Sequence, residues 1–205
     1  MTKDVLLTGG AGYIGLRIRG ARRYLNRLTD SLDLIEQTRG IKGIVHLAAK
    51  SNKRKCEQDP QGCIASNIIG LANVLNVALS RKAWVIFIST FQVKERNLYG
   101  ISKLFGEELC RVYQKKGLDV RIIRLPIVYG KYDSPDKIVT KIISQIRAGV
   151  EPTVDTDDKF DFMYIDDCIN MIEHHVNVIQ GGKGHGYTVR DLISGIREVL
   201  SENKA

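Results

Sequence analysis

Apolar residues in this chain fall into short unbroken runs, separated by stretches with helical spacing. Val5–Thr8, "GIVHLAA" (43–49), "WVIFIST" (84–90) and "DVRIIRL" (119–125) are four runs of strand length. None alternates apolar with polar, so each is expected to be covered on both faces, as in a parallel sheet. The intervening pattern predicts helices. One starts at Gly12, and a second contains Leu32, Leu34 and Ile35 within "SLDLIEQT". From Ile64 to Leu79 the chain is apolar on nearly all sides (Ile68, Ile69, Leu71, Val74, Leu75, Val77, Ala78). Such a helix is expected to bury two faces, one against a sheet and one against a partner subunit. In "YGISKLFGEELCRVYQKKG", Ile101, Leu104, Phe105, Leu109 and Val112 recur at helical spacing, and Gly117 supplies a stop. Helices from about Pro135 to Ala148 and from Thr188 to Ser201 close the order.

Strand alternating with helix predicts an α/β fold with a doubly wound parallel sheet. "TGG", "AAKS", "ST" and "RLPIVYG" each fall at the C-terminal end of a predicted strand. Ligands of open parallel sheets bind along that edge. Four polar strand ends therefore point to one site.

Composition narrows the class. With 205 residues, 43% hydrophobic and 26% charged, the chain is expected to form one sizeable globular domain or a domain with an appendage. No apolar stretch approaches the roughly 18 uninterrupted residues of a membrane span, and because the sequence enters a strand-like run directly, no signal or transit peptide is expected. Cys56, Cys63, Cys110 and Cys168 form no C-x-x-C pair, so reduced thiols in a cytoplasmic protein are expected, with no metal site. The net charge is +8, with clusters at Arg17, Arg19, Arg22, Arg23 and Arg27 and at Lys50, Lys53, Arg54 and Lys55. These read as solvated surface, although a polyanionic ligand would also suit them.

Candidate chemistry begins at "TGGAGYIG". Gly9 would permit a tight turn, Gly12 a close approach to a pyrophosphate, and Gly15 close packing of helix on sheet. A helix N-terminus there would add unpaired N–H groups and a favourable dipole for the anion. Tyr99 and Lys103 stand four apart at a helix start, hence on one face, and off the Ile101–Phe105–Leu109 stripe. A nearby ammonium would lower the phenol's pKa toward that of a working general base. Thr90 ends the preceding strand with a hydroxyl that can donate and accept.

As an ordered set, "TGGAGYIG", "HLAA", "NIIGLANVL", "IST", "YGISK", "RLPIVYG" and "DFMYIDD" resemble the extended short-chain dehydrogenase/reductases, within them the NAD-dependent epimerase/dehydratase family acting on nucleotide sugars. The resemblance implies a Rossmann-type cofactor domain over residues 1–130 and a small, interleaved substrate-binding region over residues 131–205. It implies NAD, with NADP left open, and a homodimer built through the Ile64–Leu79 and Tyr99–Gly117 helices. Gly9, Gly12, Tyr13, Ile14 and Gly15 would hold the pyrophosphate. Ala48, Ala49 and Lys50 would line the cofactor groove near Asn67, and Leu125 and Pro126 would pack by the nicotinamide. Thr90 would bind the sugar hydroxyl and Tyr99 would be the base. Lys103 would bind the nicotinamide ribose while tuning Tyr99. Nucleotide-sugar epimerisation, or a related oxidation or reduction, is the implied activity. Dehydratases of this kind carry acids just after the threonine, where this chain has Phe91 and Gln92, so dehydration is the lesser alternative.

The chain departs from that pattern in places. The family's second strand, ending in a ribose-binding acid about 20 residues past the glycines, is expected to be missing, because Asp33 and Glu36 lie in a helical pattern. "KERNL" is short, and "HHVNVIQGGKGHGYTV" is compressed. Phe160 stands where an arginine usually precedes "DF", and Ile127 replaces a frequent asparagine. Two accounts stay open. Ordered segments of a longer chain are joined without their loops, or this is a reduced relative that has lost a strand and binds nucleotide or RNA without catalysis. Nucleic acid is not the expected partner, since a pure binder has no need of a tuned phenol.

Overall fold

The computed structural model describes residues 1–153, 157–174 and 186–202. The chain divides into two compact units, Met1–Leu125 with Cys168–Gly181, and Pro126–Asp167 with Gly182–Ala205.

The first unit is a five-stranded parallel sheet. Its strands are β1 (Val5–Thr8), β2 (Arg22–Tyr24), β3 (Gly43–His46), β4 (Trp84–Thr90) and β5 (Val120–Leu125), in the order β2-β1-β3-β4-β5. Every residue of β1 and β3 is buried, as their unalternating apolar runs require. The order reverses at the β1/β3 junction, the switch point where ligands of open α/β sheets bind.

A second strand is present, contrary to the expectation of its loss. Arg22, Arg23 and Tyr24 pair with Leu6, Leu7 and Thr8. With two arginines in three residues on a sheet edge, β2 has no hydrophobic run by which to be recognised. Among the described residues it is the only strand beyond β1, whereas the commonest dinucleotide-binding order, 3-2-1-4-5-6, places two there. The helix expected from Gly12 does not form. The chain makes one 3₁₀ turn at Gly15–Arg17 and leaves Leu16 exposed. Residues 9–21 are too few for a tight turn, a full helix and a return, although a parallel crossover is usually helical.

Helices α1 (Ser31–Gln37), α2 (Lys53–Gln58), α3 (Pro60–Ile64), α4 (Gly70–Arg81) and α5 (Leu98–Lys115) complete this unit's main elements. Asp30 caps α1 by accepting from the Asp33 N–H, and Asn97 caps α5 by accepting from the Gly100 N–H. A π-helical turn, Ala65–Ile69, joins α3 to α4. The resulting run, Pro60–Arg81, is long and apolar enough by length and composition to cross a membrane. Its composition has a simpler cause: Leu71, Val74, Leu75, Val77 and Ala78 pack into the core with Leu6, Ile44, Val85, Phe87 and Ile122. Ile64 and Ile69 stay exposed on its other side.

On α5 the apolar stripe faces outward. Ile101 and Phe105 are 53% and 49% exposed, while Tyr99, Ser102, Lys103, Glu107 and Cys110 are buried. Helical spacing located an apolar face correctly but did not show that the polar face is the inner one.

In the second unit, β6 (Ile127–Tyr129) pairs in parallel with β7 (Phe162–Tyr164); α7 (Ile165–Glu173) begins directly after β7 and from Cys168 onward belongs to the first unit. Helices α6 (Ile138–Arg147) and α8 (Val189–Glu202) pack through Ile142, Val189 and Ile193. The Asp191 carboxylate accepts from the Thr188 N–H, while the Thr188 hydroxyl accepts from the Asp191 N–H, starting α8 with a reciprocal cap. Phe160 bridges Tyr187, and Ile127 opens β6. Most of the compressed segment "HHVNVIQGGKGHGYTV" (174–189) lies outside the described residues.

Candidate active site

The glycine turn leaves β1 at Thr8. Gly9 adopts φ +69°, a left-handed conformation that favours glycine, and a Cβ there would stand 2.6 Å from the Ala48 nitrogen. A Cβ on Gly15 would stand 2.5 Å from the Gly9 carbonyl oxygen. These two glycines are therefore required by packing of the turn itself. Gly12 differs. It is exposed, and a Cβ there would meet only the Gly9 oxygen, at 3.3 Å. An anion has room to approach at Gly12, so the turn fits a pyrophosphate. The helix dipole expected behind it is absent, which leaves backbone N–H groups as the binding element.

Arg17 lies 4.1 Å from the Tyr13 ring centroid and donates to the Tyr13 carbonyl at 2.8 Å. Arg23 donates to the Ile18 carbonyl, and Arg22 to the carbonyls of Gln37, Arg39 and Lys3. Arg22 and Arg23 are exposed, as the solvated-surface reading expects, and with Arg17 they also hold backbone carbonyls in place. At the end of β2, where a ribose-binding acid was sought, Asn26 instead donates to Asp33 at 2.9 Å. Hydrogen bonds from Asn26 and Tyr24 hold that carboxyl below its usual range. The acid is on α1, as its helical pattern indicated.

Across the switch point, the Thr8 hydroxyl accepts from the Ala48 N–H at 3.4 Å and lies 2.9 Å from His46 Nδ1. The hydroxyl can donate to Nδ1 or accept from it, according to the imidazole tautomer; the other ring nitrogen is Nε2. That nitrogen is buried and has no hydrogen-bond partner among the described residues. Burial, then the Lys103 ammonium, pushes His46 down to about 3, so the ring is neutral.

Asn67, in the π turn, accepts from the Lys50 N–H at 2.8 Å and donates to the Lys50 carbonyl at 3.2 Å and to Ser102 Oγ at 2.9 Å. It thus ties the segment after β3, with Ala48, Ala49 and Lys50, to α5. Lys50 Nζ pairs with Asp59. Local π geometry recurs at functional sites because it re-aims one side chain.

Tyr99, Thr90 and Lys103 are all buried at the C-terminal end of β4. The Thr90 hydroxyl lies near enough to the Tyr99 phenol for a hydrogen bond from it to oppose the effect of burial. Burial pushes that phenol up to about 12, against the lowering effect of the Thr90 bond. This corrects the expected lowering by Lys103: the ammonium donates to the Ile88 carbonyl at 2.8 Å and lies 4.8 Å from the Phe87 ring centroid. Burial brings Lys103 down to about 8. Leu125 stands opposite Thr90 in the β4–β5 register. Pro126 begins the second unit.

Sequence reasoning missed a buried carboxylate behind this group. Glu107 Oε1 accepts from Ser89 Oγ (2.6 Å) and Arg124 Nε (2.7 Å), and its Oε2 accepts from Arg124 Nη2 (2.6 Å). An arginine flanked by apolar residues in "DVRIIRL" was the available signal, since buried charges are paired. The four cysteines are free and buried, and burial pushes Cys56, Cys110 and Cys168 up to about 12.

The assembly of glycine turn, switch point and tyrosine–lysine helix defines a Rossmann-type dinucleotide-binding fold of the dehydrogenase class. The chain belongs to the NAD dependent epimerase/dehydratase family, whose model matches residues 22–189. It is 29% identical over 167 residues to UDP-glucuronate 4-epimerase 6 of Arabidopsis thaliana, across 70% of this chain and 36% of that protein. It superposes with TM-score 0.85 and 22% identity on UDP-glucose 4-epimerase of Thermotoga maritima with UDP-glucose, covering 96% of this chain and 82% of the other. UDP-glucuronic acid 4-epimerase of Bacillus cereus, in complex with UDP-glucuronic acid and NAD, gives TM-score 0.82 and 23% identity, covering 96% and 83%. The chain spans about a third of the length of the first plant relatives it matches.

Proposed function

We propose that this chain is an NAD-dependent sugar-nucleotide epimerase, or a closely related oxidoreductase, with Tyr99 as base. The observation that carries the reading is the buried group of Thr90, Tyr99 and Lys103 at one strand end. NAD, once bound, supplies the hydride acceptor. The phenolic oxygen of Tyr99 takes the proton from the reacting sugar hydroxyl, and Thr90 orients that hydroxyl while stabilising the phenolate. Lys103, held by the Ile88 carbonyl, supplies a donor for the nicotinamide ribose.

Gly9, Gly12, Tyr13, Ile14 and Gly15 hold the pyrophosphate. Ala48, Ala49, Lys50 and Asn67 line the groove, and Leu125 and Pro126 pack by the nicotinamide. Residues 1–130 carry the cofactor and 131–205 the sugar nucleotide, of the UDP-glucose or UDP-glucuronate kind named for the relatives. Phe91 and Gln92 after Thr90 favour epimerisation over dehydration, which needs further acid–base groups there. Outward-facing Ile101, Leu104, Phe105 and Val112 on α5, with Ile64 and Ile69, support a homodimer through those helices. Four unpaired buried thiols support a reducing, cytoplasmic location. The engagement of Arg17, Arg22 and Arg23 with backbone carbonyls removes much of the case for nucleic acid.

Substitution Tyr99→Phe tests the reading. It is expected to lower turnover by at least about a hundredfold, with NAD affinity, measured by calorimetry, within about twofold of the parent. Unchanged turnover would overturn the assignment of Tyr99.

A further inference from the structure

We propose that Glu107 is a positioning residue that locks the catalytic helix to two strand ends and thereby sets the placement of Tyr99 against Thr90. The inference deepens the functional reading above and rests on it for the roles of Tyr99 and Thr90. Ser89 and Arg124, the two groups that Glu107 binds, are directly opposed partners in the β4–β5 register. The next pair in that register is Thr90 and Leu125, the last residues of both strands. One fully buried carboxylate on α5 therefore fastens a cross-strand pair one residue short of the reacting hydroxyl. Glu107 also lies one helical turn beyond Lys103 and two beyond Tyr99, so the contact fixes both the rotation and the axial position of α5.

The geometry is stiff for chemical reasons. Arg124 presents two N–H groups to two carboxylate oxygens, an arrangement that tolerates little rotation. Ser89 takes a further lone pair at 2.6 Å. Arg111, on the same helix, approaches Oε2 at 3.6 Å from the half-exposed side. An apolar helix–sheet contact can slide by fractions of an ångström at little cost, whereas this one cannot without breaking charge-assisted bonds. A displacement of about 1 Å in a reacting group can cost a hundredfold in rate.

The test uses the full chain in two variants. Ser89→Ala removes only the hydroxyl link. Glu107→Gln combined with Arg124→Gln removes both charges, so neither is left buried alone. Both are expected to bind NAD within about twofold of the parent and to lose between about tenfold and a hundredfold in kcat. The double variant is expected to melt close to the parent yet to remain slow. Recovery of kcat together with melting temperature would mean a purely structural role and would overturn the proposal.

A readout independent of turnover keeps this test separate from the function. With 3-fluorotyrosine at position 99, the ¹⁹F resonance reports ionisation of the phenol. Loss of a well-placed Thr90 donor raises that titration midpoint in both variants. An unchanged midpoint overturns the positioning role even if the parent turns over sugar nucleotides. A shifted midpoint in a parent without turnover supports the positioning role and sinks the epimerase reading alone.

Discussion

Between β1 and β2 the chain crosses from one parallel strand to the next with a three-residue turn, whereas between β4 and β5 it crosses with an 18-residue helix. The short crossover is held by arginine side chains reaching backbone carbonyls, and it leaves Leu16 exposed. The long one buries its polar face around a carboxylate with several donors and points its apolar residues outward. Both crossovers begin at the ligand edge of the same sheet. The difference teaches that this edge has two tolerances. A pyrophosphate needs only backbone N–H groups and space, which a bare turn can give. Proton transfer needs side chains fixed in place, and that is where the buried charge is found.

The largest effect that would sharpen this contrast is on the helical side. Truncation Glu107→Ala leaves Arg124 largely buried without its partner and is expected to cost about 3–5 kcal/mol, read from denaturant unfolding. A cost below about 1 kcal/mol would show that the α5–β4–β5 block is not held as described.

Next comes pH, acting at the junction between the two regions. His46 is held neutral with its pKa near 3, below its unfolded value of 6.5, so the unfolded chain binds the extra proton between those values. Stability is therefore complete above about pH 6.5 and falls as pH drops toward 3. The slope approaches about 1.4 kcal/mol per pH unit from this group. Replacement His46→Asn is expected to flatten that limb in a series of melts, and an identical slope would mean that other groups govern acid stability.

The smallest effect belongs to the short crossover. Arg22→Ala removes bonds to three carbonyls at an exposed site and is expected to cost about 0.5–1 kcal/mol. Hydrogen exchange is expected to quicken at β2 while α5 is unaffected. Equal acceleration in both places would erase the distinction drawn between them.

Legibility in the sequence followed the same division. Four strands and helices α1, α4, α5, α6 and α8 were readable because unbroken or periodic apolar runs report burial directly. Arg22–Tyr24 was not readable, because an edge strand with one buried side chain carries no such run. Helix α2 was missed as well, since "KRKCEQ" buries only Cys56. The stripe Ile101–Leu104–Phe105–Val112 is legible by its spacing, but spacing does not say which way it faces. The residues that Tyr99 and Lys103 bring inward are polar, and hydrophobicity cannot announce them.

The sequence by itself determined the parallel α/β class, the glycine turn, and the order of turn, hydroxyl, tyrosine and lysine along the ligand edge. These depend on local backbone requirements and on short-range periodicity, which are written in neighbouring residues. Only the tertiary structure decided that Arg22–Tyr24 completes the sheet, that α5 turns its polar face inward, and that Glu107 joins Ser89 to Arg124. Those outcomes depend on which surfaces remain to be covered once the strands pair, and on how a buried charge finds its partner across the sheet.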